Sequence, residues 1–252
     1  FMPSVWVTVD LELSEDEADA LAVQLAHRAG KLVSLAQPYA EGLTREGYRI
    51  AVTFRTEVSR HGSSFVLRKY GVRPLTVGDI LASGMIQPMH LALLWLVVEA
   101  QFFTLVVGPM GSGKTTLLQS LIDITPPHQR VVIVDDTPEL KPVKPKVDML
   151  HTRPSPTGEI PEVGLEDLLK FALRRRAEYI VVGEVRGREA RLLAQAAALG
   201  HGSMATFHAD SVEAALARLQ LEPIALPPLF MRLLGCIVVI RRITCLLYTS
   251  PS

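Results

Sequence analysis

From residue 102 onward, short apolar runs rich in Val and Ile alternate with segments whose apolar residues recur at helical spacing. Strands of a parallel sheet are buried on both faces and therefore read as nearly continuous apolar runs. The alternation predicts an α/β fold with a mostly parallel sheet covered by helices on both faces. The predicted strands are Phe103–Val107, Val131–Asp135, Tyr179–Gly183, Ser203–Phe207 and Cys236–Ile240, and the predicted helices are 114–123, 165–176, 188–199 and 211–220.

The first part of the chain has a different pattern. Ser14 and Glu17 have the spacing of a capping box, and they precede a helical pattern that Gly30 ends. Strand-like runs follow the alternation and β-branched content expected of half-buried strands; they are 5–9, Tyr48–Val58 and Ser64–Lys69. We therefore predict a small α/β domain over 1–72, a linker over 73–87 and a larger domain over 88–243, with the Pro-rich stretch 136–164 as a surface excursion.

The most apolar stretch, Met89 to Met110, is a candidate membrane span. Its longest unbroken apolar run has eight residues, Leu91 to Val98, whereas a bilayer requires about 20. Glu99 follows directly, and a charge inside a bilayer is costly. We predict a buried helix over 88–100, a strand over 102–107 and no transmembrane segment.

The two ends are expected to lie outside the folded part. The chain opens with Phe1 and no basic, apolar leader follows, so we interpret it as a fragment. Residues 244–252 have neither a period nor caps, and we interpret them as a non-native tail; a disordered true terminus is the alternative.

Composition limits the classes of function. The 26 Lys and Arg balance 26 Asp and Glu, 21% of residues are charged and 48% are apolar. This balance argues against a disordered chain and against a general nucleic-acid-binding surface. Two Cys cannot form a disulfide framework, so a cytosolic protein is the default expectation.

One motif indicates phosphate binding. Residues 108–115 read Gly-Pro-Met-Gly-Ser-Gly-Lys-Thr, which fits G-x-x-x-x-G-K-[ST] between a predicted strand and a predicted helix. The glycines let the backbone wrap a phosphate, and the helix N-terminus offers free N–H groups to an anion. A Gly-rich turn with an exposed Lys is the alternative. The predicted ATP-binding residues are Gly108, Gly111, Ser112, Gly113, Lys114, Thr115 and Thr116.

Three further strand ends carry polar groups. Glu184 ends the third predicted strand, where a nucleoside triphosphatase needs a catalytic base; pairing with Arg186 or Arg188 is the alternative. Asp135 and Asp136 end the second and could hold the water shell of Mg²⁺, or form an Asx turn before a proline. The predicted Mg²⁺ residues are Thr115, Asp135, Asp136 and Glu184. His208 follows the fourth strand and is a candidate for γ-phosphate sensing, with His201 a weaker one.

Basic residues form two sets whose role their spacing leaves open. Arg60, Arg68 and Lys69 belong to the small domain, and Arg174 to Arg176 end a helix of the large one. Arginines at a helix C-terminus often only pair with the dipole. Arg68 and Lys69 could be a solvated strand edge.

Taken together, these segments resemble the type II/IV secretion-system ATPases, and most closely their archaeal branch. The resemblance extends over about residues 5 to 243. The matching segments are 60–69, 74–80, 94–99, the phosphate-binding loop 108–115 (the P-loop), 134–140, 172–176, 182–190 and 200–211, of which Val182-Gly-Glu-Val-Arg-Gly and the segment around His208 are the most specific.

The resemblance implies a hexameric ATPase with a PAS-like N-terminal domain and a RecA-like C-terminal domain. It implies ATP and Mg²⁺ as ligands, a polytopic membrane platform protein as partner, and a cytoplasmic location at the inner face of the membrane. Lys114 and Thr115 take the Walker A roles and Glu184 the Walker B role, while the acidic pair falls in the Asp box and His208 in the His box. Arg60 and Arg68 take the N-terminal basic positions that approach the nucleotide.

The sequence departs from the family pattern at two places. Asp135 stands where the family usually has Glu, which keeps an ATP-binding switch without hydrolysis open as an alternative. The P-loop reads Pro-Met-Gly-Ser where small residues are more usual, and we expect its phosphate-binding backbone to be kept. A second alternative is a DNA-translocating RecA-like motor, which the neutral charge disfavours.

Overall fold

A computed structural model describes residues 12–68, 74–153 and 161–242. The chain divides into two compact units, Phe1–Val72 and Arg73–Ser252, and each is described by itself. The interpreted strand 5–9, Lys69 and the interpreted tail 244–252 lie outside the described residues.

The smaller unit packs one helix on an antiparallel sheet. Helix α1, Glu15–Arg28, begins with the predicted capping box: the Ser14 side chain accepts the Glu17 N–H, and the Glu17 carboxylate accepts the Ser14 N–H. Ala22 on α1 packs on Ile50 and Val52 to form a small core. Among the described residues the sheet order is β1-β2-β3, with β1 Tyr39–Leu43, β2 Arg49–Thr53 and β3 Ser64–Arg68.

The strands of this unit differ from the sequence prediction in two ways. Strand β1 was not predicted, since it contains a glycine and a glutamate; Gly42 lies close to α1, and a Cβ there would be in tight contact with Ala29 Cβ, at 3.1 Å. The run Tyr48–Val58 ends as a strand at Thr53, because the chain turns at Arg55, which has a φ of 54° and donates its N–H to Ser63 Oγ. The PAS-like character of this unit stays a prediction.

The larger unit contains a parallel sheet. Its described strands lie in the order β6-β5-β7-β8-β4-β9, and all of the pairings are parallel. The strands are β4 Phe103–Val107, β5 Val131–Asp135, β6 Val147–His151, β7 Tyr179–Val185, β8 Gly202–Phe207 and β9 Leu234–Val239, and the helices are α2 Val77–Ala82, α3 Pro88–Glu99, α4 Lys114–Asp123, α5 Leu165–Ala172, α6 Glu189–Ala198, α7 Val212–Gln220 and α8 Pro228–Met231. The predicted α/β class is confirmed.

Helices cover both faces of this sheet. On one face, α3 and α4 contribute Leu94 and Leu118 to an apolar core that also contains strand residues of β4, β5 and β7. On the other face, Leu169 and Leu193 from α5 and α6 pack on the alternate strand residues. Burial on both faces explains why these strands read as unbroken apolar runs.

Two segments differ from the sequence expectation. The stretch 73–87, interpreted as a linker, contains helix α2, which starts with a capping box of Thr76 and Asp79 and buries Ile80 in the core. The stretch 136–164, interpreted as a surface excursion, contains edge strand β6, whose side chains are only partly buried. Short helix α8 was not predicted either.

No helix within the described ranges has the length and apolar character needed to cross a bilayer. Helix α3, the earlier candidate, has 12 residues and begins at Pro88.

Candidate functional site

The P-loop follows β4 and leads into α4. Gly111 and Gly113 have φ values of 72° and 99°, a left-handed conformation that glycine adopts without steric cost. Gly108 is confined as well, since a Cβ there would lie 2.6 Å from Ser112 Oγ. These three glycines let the backbone curl tightly around the N-terminus of α4, where unpaired N–H groups favour an anion.

The Lys114 side chain turns back over this loop. Its Nζ donates to the Pro109 carbonyl at 2.8 Å and lies 3.2 Å from His208 Nδ1. Burial lowers the pKa of Lys114, and the Glu184 carboxylate opposes this effect. An ammonium group only donates, so Nδ1 of His208 must be the acceptor and the imidazole proton lies on Nε2.

His208 connects the P-loop to a carboxylate. Its Nε2 lies 2.5 Å from Glu184 Oε1. The strand order explains this contact: β8 lies between β4 and β7, so the residue that follows β8 sits between the P-loop and the end of β7. Burial lowers the pKa of His208; Glu184 raises it, and Lys114 lowers it further. The neutral imidazole is therefore favoured.

Glu184 has a second partner and an unsatisfied atom. Its Oε2 accepts a hydrogen bond from the Arg186 guanidinium, so the pairing considered in the sequence analysis is present. Its Oε1 is buried and accepts no well-directed hydrogen bond, although His208 is close. A buried carboxylate oxygen without a donor is costly, and it marks a place where a further donor such as water would be accommodated.

Asp135 is packed inward. Its carboxylate lies against the Gly183 backbone, where a Cβ would come within 2.6 Å of Cγ, so only glycine fits before Glu184. Burial raises the pKa of Asp135 to about 6, against the opposing hydrogen bond from the Glu139 N–H at 3.2 Å. Asp135, at the end of β5, therefore packs directly on Gly183 of β7 and stabilises the contact between the two strand ends.

Asp136 is exposed and accepts a hydrogen bond from Thr152 Oγ1 at 2.6 Å. In the described parts of the chain, no group of three or more His, Cys, Asp or Glu side chains could hold a metal ion by itself. Mg²⁺ usually takes one or two carboxylates and fills its other positions with water and phosphate oxygens. The binding of Mg²⁺ therefore stays a prediction for the four residues named in the sequence analysis, Thr115, Asp135, Asp136 and Glu184.

Other predicted residues lie elsewhere in the larger unit or belong to the smaller unit. His201 lies at the amino end of β8, where Nδ1 contacts the Ala177 carbonyl at 2.7 Å, so it lies at the opposite edge from the P-loop. Arg175 lies at that same edge and binds Asp148. Arg60 and Arg68 are exposed residues of the smaller unit.

Sequence reasoning missed three supporting residues. Glu189 is buried at the start of α6 and accepts the N–H groups of Arg186 and Gly187 at 2.5 and 2.7 Å, which fixes the turn after Glu184. Thr206 Oγ1 donates to the Gly183 carbonyl at 2.6 Å, and the Arg218 guanidinium donates to the His208 carbonyl. A carboxylate in the first turn of a helix was the only sequence signal, and it pointed to Glu189.

The candidate site contains two buried polar atoms that are open to a further partner. Ser112 Oγ in the P-loop and Oε1 of Glu184 are both buried without a hydrogen-bond partner. Buried polar atoms normally have partners, so these atoms lie where a ligand or water would satisfy them. The P-loop, the lysine and the strand-end carboxylates together define a P-loop domain of the α/β class.

The family can now be stated. The profile of the family described as Type II/IV secretion system protein matches residues 45–231, and the chain belongs to that family. The fold is similar to that in the X-ray structure of the ATPase DotB of Legionella pneumophila, with a TM-score of 0.55 at 22% identity, over 84% of this chain and 58% of that one.

Sequence relatives extend this result. The uncharacterized protein MJ0900 of Methanocaldococcus jannaschii is 39% identical over 220 residues, which are 86% of this chain and 40% of that protein. The type IV secretion system protein PtlH of Bordetella pertussis is 41% identical over 129 residues, 50% of this chain and 38% of PtlH. The chain spans 40%, 59% and 27% of the length of three curated relatives that it matches.

Proposed function

We propose that this chain hydrolyses ATP, and that hydrolysis powers a type II/IV secretion or pilus-like machine. One observation carries the proposal: Lys114, His208 and Glu184 form a continuous line of contacts from the P-loop to a carboxylate at the end of β7. A binding loop joined in this way to a partly buried carboxylate has the parts that phosphoryl transfer to water requires.

Each residue has a role in this proposal. The P-loop N–H groups and Lys114 bind the phosphates, and Glu184 accepts a proton from the attacking water. Thr115 and Asp136 would hold Mg²⁺, which neutralises charge on the phosphate oxygens when it is bound. Asp135, which is packed against Gly183, is better placed to fix the strand ends than to ligate the metal.

His208 would link binding to catalysis. Its Nδ1 contacts Lys114, and a γ-phosphate would compete for the same ammonium group. Loss of that contact would leave the imidazole free to donate to phosphate, and it would release Glu184 to accept a proton from water. In this way His208 senses the γ-phosphate.

The basic test is phosphate release by the whole chain with ATP and Mg²⁺. Lys114→Ala protein, purified in the same way, gives the background from contaminating enzymes. We expect release that saturates with ATP and requires Mg²⁺. Release no greater than the Lys114→Ala background at any ATP concentration would refute hydrolysis and favour the non-hydrolysing switch.

The same proposal includes assembly into a hexameric ring. It also includes work beside a polytopic membrane protein, at the cytoplasmic face of the membrane. Membership of the family supports them, and so does the similarity to PtlH, a type IV secretion system protein. Light scattering with and without a non-hydrolysable ATP analogue tests the ring. We expect a concentration-dependent increase in mass with the analogue, and a monomer under all conditions would contradict it.

Arg60 and Arg68 are proposed to approach the nucleotide and to neutralise charge on the γ-phosphate. Arg68 stands opposite Arg49 in the β2–β3 register, and Arg49 has the Glu41 carboxylate as a partner at 3.9 Å. Because arginine fingers supply about 10³–10⁵ in rate, Arg60→Ala and Arg68→Ala should each lower kcat at least about tenfold.

Arg→Lys should restore little of this activity, since lysine lacks the bidentate fork. Arg45→Ala is the matched control on the same unit. Wild-type kcat in both Arg60→Ala and Arg68→Ala would mean that the two arginines are a solvated edge. The proposal that they approach the nucleotide would then have to be abandoned.

A further inference from the structure

Gln119 is a buried amide on α4, the helix that begins at Lys114 of the P-loop. Only 7% of the residue is exposed. A buried amide must find partners for both its oxygen and its nitrogen, or it destabilises the fold. Its partners therefore show what the residue does.

The two ends of the Gln119 amide bind two different segments. Nε2 donates to the Leu75 carbonyl at 3.1 Å, and Oε1 accepts the Lys141 N–H at 3.0 Å. Leu75 lies just after the point at which the chain enters the larger unit, and directly before the cap of α2. Lys141 lies in the segment 136–146 between β5 and β6, which we call the acidic loop because it contains Asp136 and Glu139.

The same helix binds the acidic loop again one turn later. Asp123 Oδ1 accepts the N–H groups of Val143 and Lys144 at 2.9 and 3.4 Å. Lys144 Nζ in turn donates to the Thr125 carbonyl at 3.1 Å, next to the end of α4. The acidic loop is thus attached along one side of α4, and Gln119 also reaches the entry segment 74–76.

We propose that Gln119 is a positioning residue that couples the entry segment to the acidic loop, so that movement of one is transmitted to the carboxylates of the other. This inference rests on the proposed ATP hydrolysis, and it adds a route by which the junction between the two units influences the nucleotide site. Sequence position gives no hint of it, since residues 75, 119 and 141 are far apart in the chain.

Kinetics of two variants test the coupling. Gln119→Met keeps the length of the side chain and removes both hydrogen bonds. Small displacements of catalytic groups cost up to about 10²-fold in rate, so kcat should fall roughly 10- to 100-fold. The KM for ATP should stay within about threefold, because the P-loop that binds the phosphates is untouched.

Gln119→Glu separates the two hydrogen bonds. A carboxylate still accepts the Lys141 N–H but cannot donate to Leu75. We expect a lowered kcat, and the ratio of the variant's kcat to that of the wild type should rise as the pH is lowered, because a protonated carboxyl donates again.

Hydrogen exchange of the peptide 139–146, followed by mass spectrometry, measures the loop directly. It should exchange faster in Gln119→Met and at the wild-type rate in Gln119→Glu. Ser120→Ala is the matched control: Ser120 is buried next to Gln119, but its hydroxyl donates to Thr116 within the same helix. This variant should keep the wild-type kcat and exchange.

Three results would overturn the inference: wild-type kcat in folded Gln119→Met protein, wild-type kcat in Gln119→Glu at every pH, or unchanged exchange in Gln119→Met. If Gln119→Met does not fold, Gln119→Glu decides. If the unaltered chain does not hydrolyse ATP, the proposed function fails, whereas the exchange comparison still decides whether Gln119 holds the loop.

Discussion

The two edges of the parallel sheet both carry clusters of charged residues, and they differ in what those charges contact. At the amino edge, Asp148 accepts hydrogen bonds from Arg130 and Arg175 at 2.9 and 3.1 Å, and Glu178 accepts the Arg130 N–H at 2.6 Å. At the carboxyl edge, Lys114 and Glu184 both contact the imidazole of His208, so this cluster adjoins the phosphate-binding loop.

Shifted pKa values occur toward both edges, and burial is their main cause. Toward the amino edge, the pKa of Asp123 is raised and that of Lys144 is lowered. At the carboxyl edge, the pKa values of Lys114 and His208 are lowered and that of Asp135 is raised. What distinguishes the carboxyl edge is that Lys114 and His208 contact each other beside the phosphate-binding loop, which indicates a candidate functional site.

The largest difference between the edges should appear when one cation is removed from each. Lys114→Ala should abolish nucleotide binding, because the charge that faces the β- and γ-phosphates is lost. Arg175→Ala at the amino edge is the control and should bind normally. Equilibrium binding of a fluorescent ATP analogue measures both, and unchanged affinity in Lys114→Ala would contradict the phosphate-binding role of the loop.

A pH-dependent stability should come from Asp135 at the carboxyl edge. Its pKa is about 6 in the fold and 3.8 when unperturbed, so the folded state holds the proton more tightly. The free energy of unfolding should therefore fall as the pH rises from about 4 to above 6, by on the order of 3 kcal/mol.

Asp135→Asn should lose this part of the pH dependence, since its side chain does not titrate. Urea unfolding without nucleotide or Mg²⁺, repeated across this pH range, measures it. An identical pH slope in the variant and the wild type would show that Asp135 is not desolvated as the fold implies.

A smaller effect, on stability alone, should follow from Asp148→Ala at the amino edge. The variant leaves two arginines without their carboxylate, and hydrogen bonds to charged groups contribute about 1.5–3 kcal/mol. Partial exposure reduces this, so we expect a loss of about 1–2 kcal/mol in the free energy of unfolding. The kcat of the folded variant should equal that of the wild type; a large fall in kcat would assign the amino edge a catalytic role.

Local sequence patterns predicted much of the carboxyl edge. Strands β4 and β5 and helix α4 have the predicted bounds, since apolar runs and a P-loop are local signals. Edge strand β6 was missed because only part of its surface is buried, which leaves a mixed pattern of polar and apolar residues.

Contacts that depend on strand order could not be predicted. The insertion of β8 between β4 and β7 brings His208 to Lys114, but nothing in the local sequence specifies which strands are neighbours. The same holds for Gln119, whose two partners are distant in the chain. His201 shows the converse, because a histidine close to the His-box segment in sequence lies at the other edge of the sheet.

The central claim is that Glu184 is the base of an ATP-hydrolysing site, and Glu184→Gln tests it most directly. The amide keeps the shape of the side chain and loses the proton acceptor, and a positioned acid–base group contributes about 10²–10⁴-fold. We therefore predict wild-type affinity for the fluorescent ATP analogue, together with a kcat lowered by about that factor in the same preparation. ATP hydrolysis within a few-fold of the wild type would contradict the claim, and the base would have to lie elsewhere.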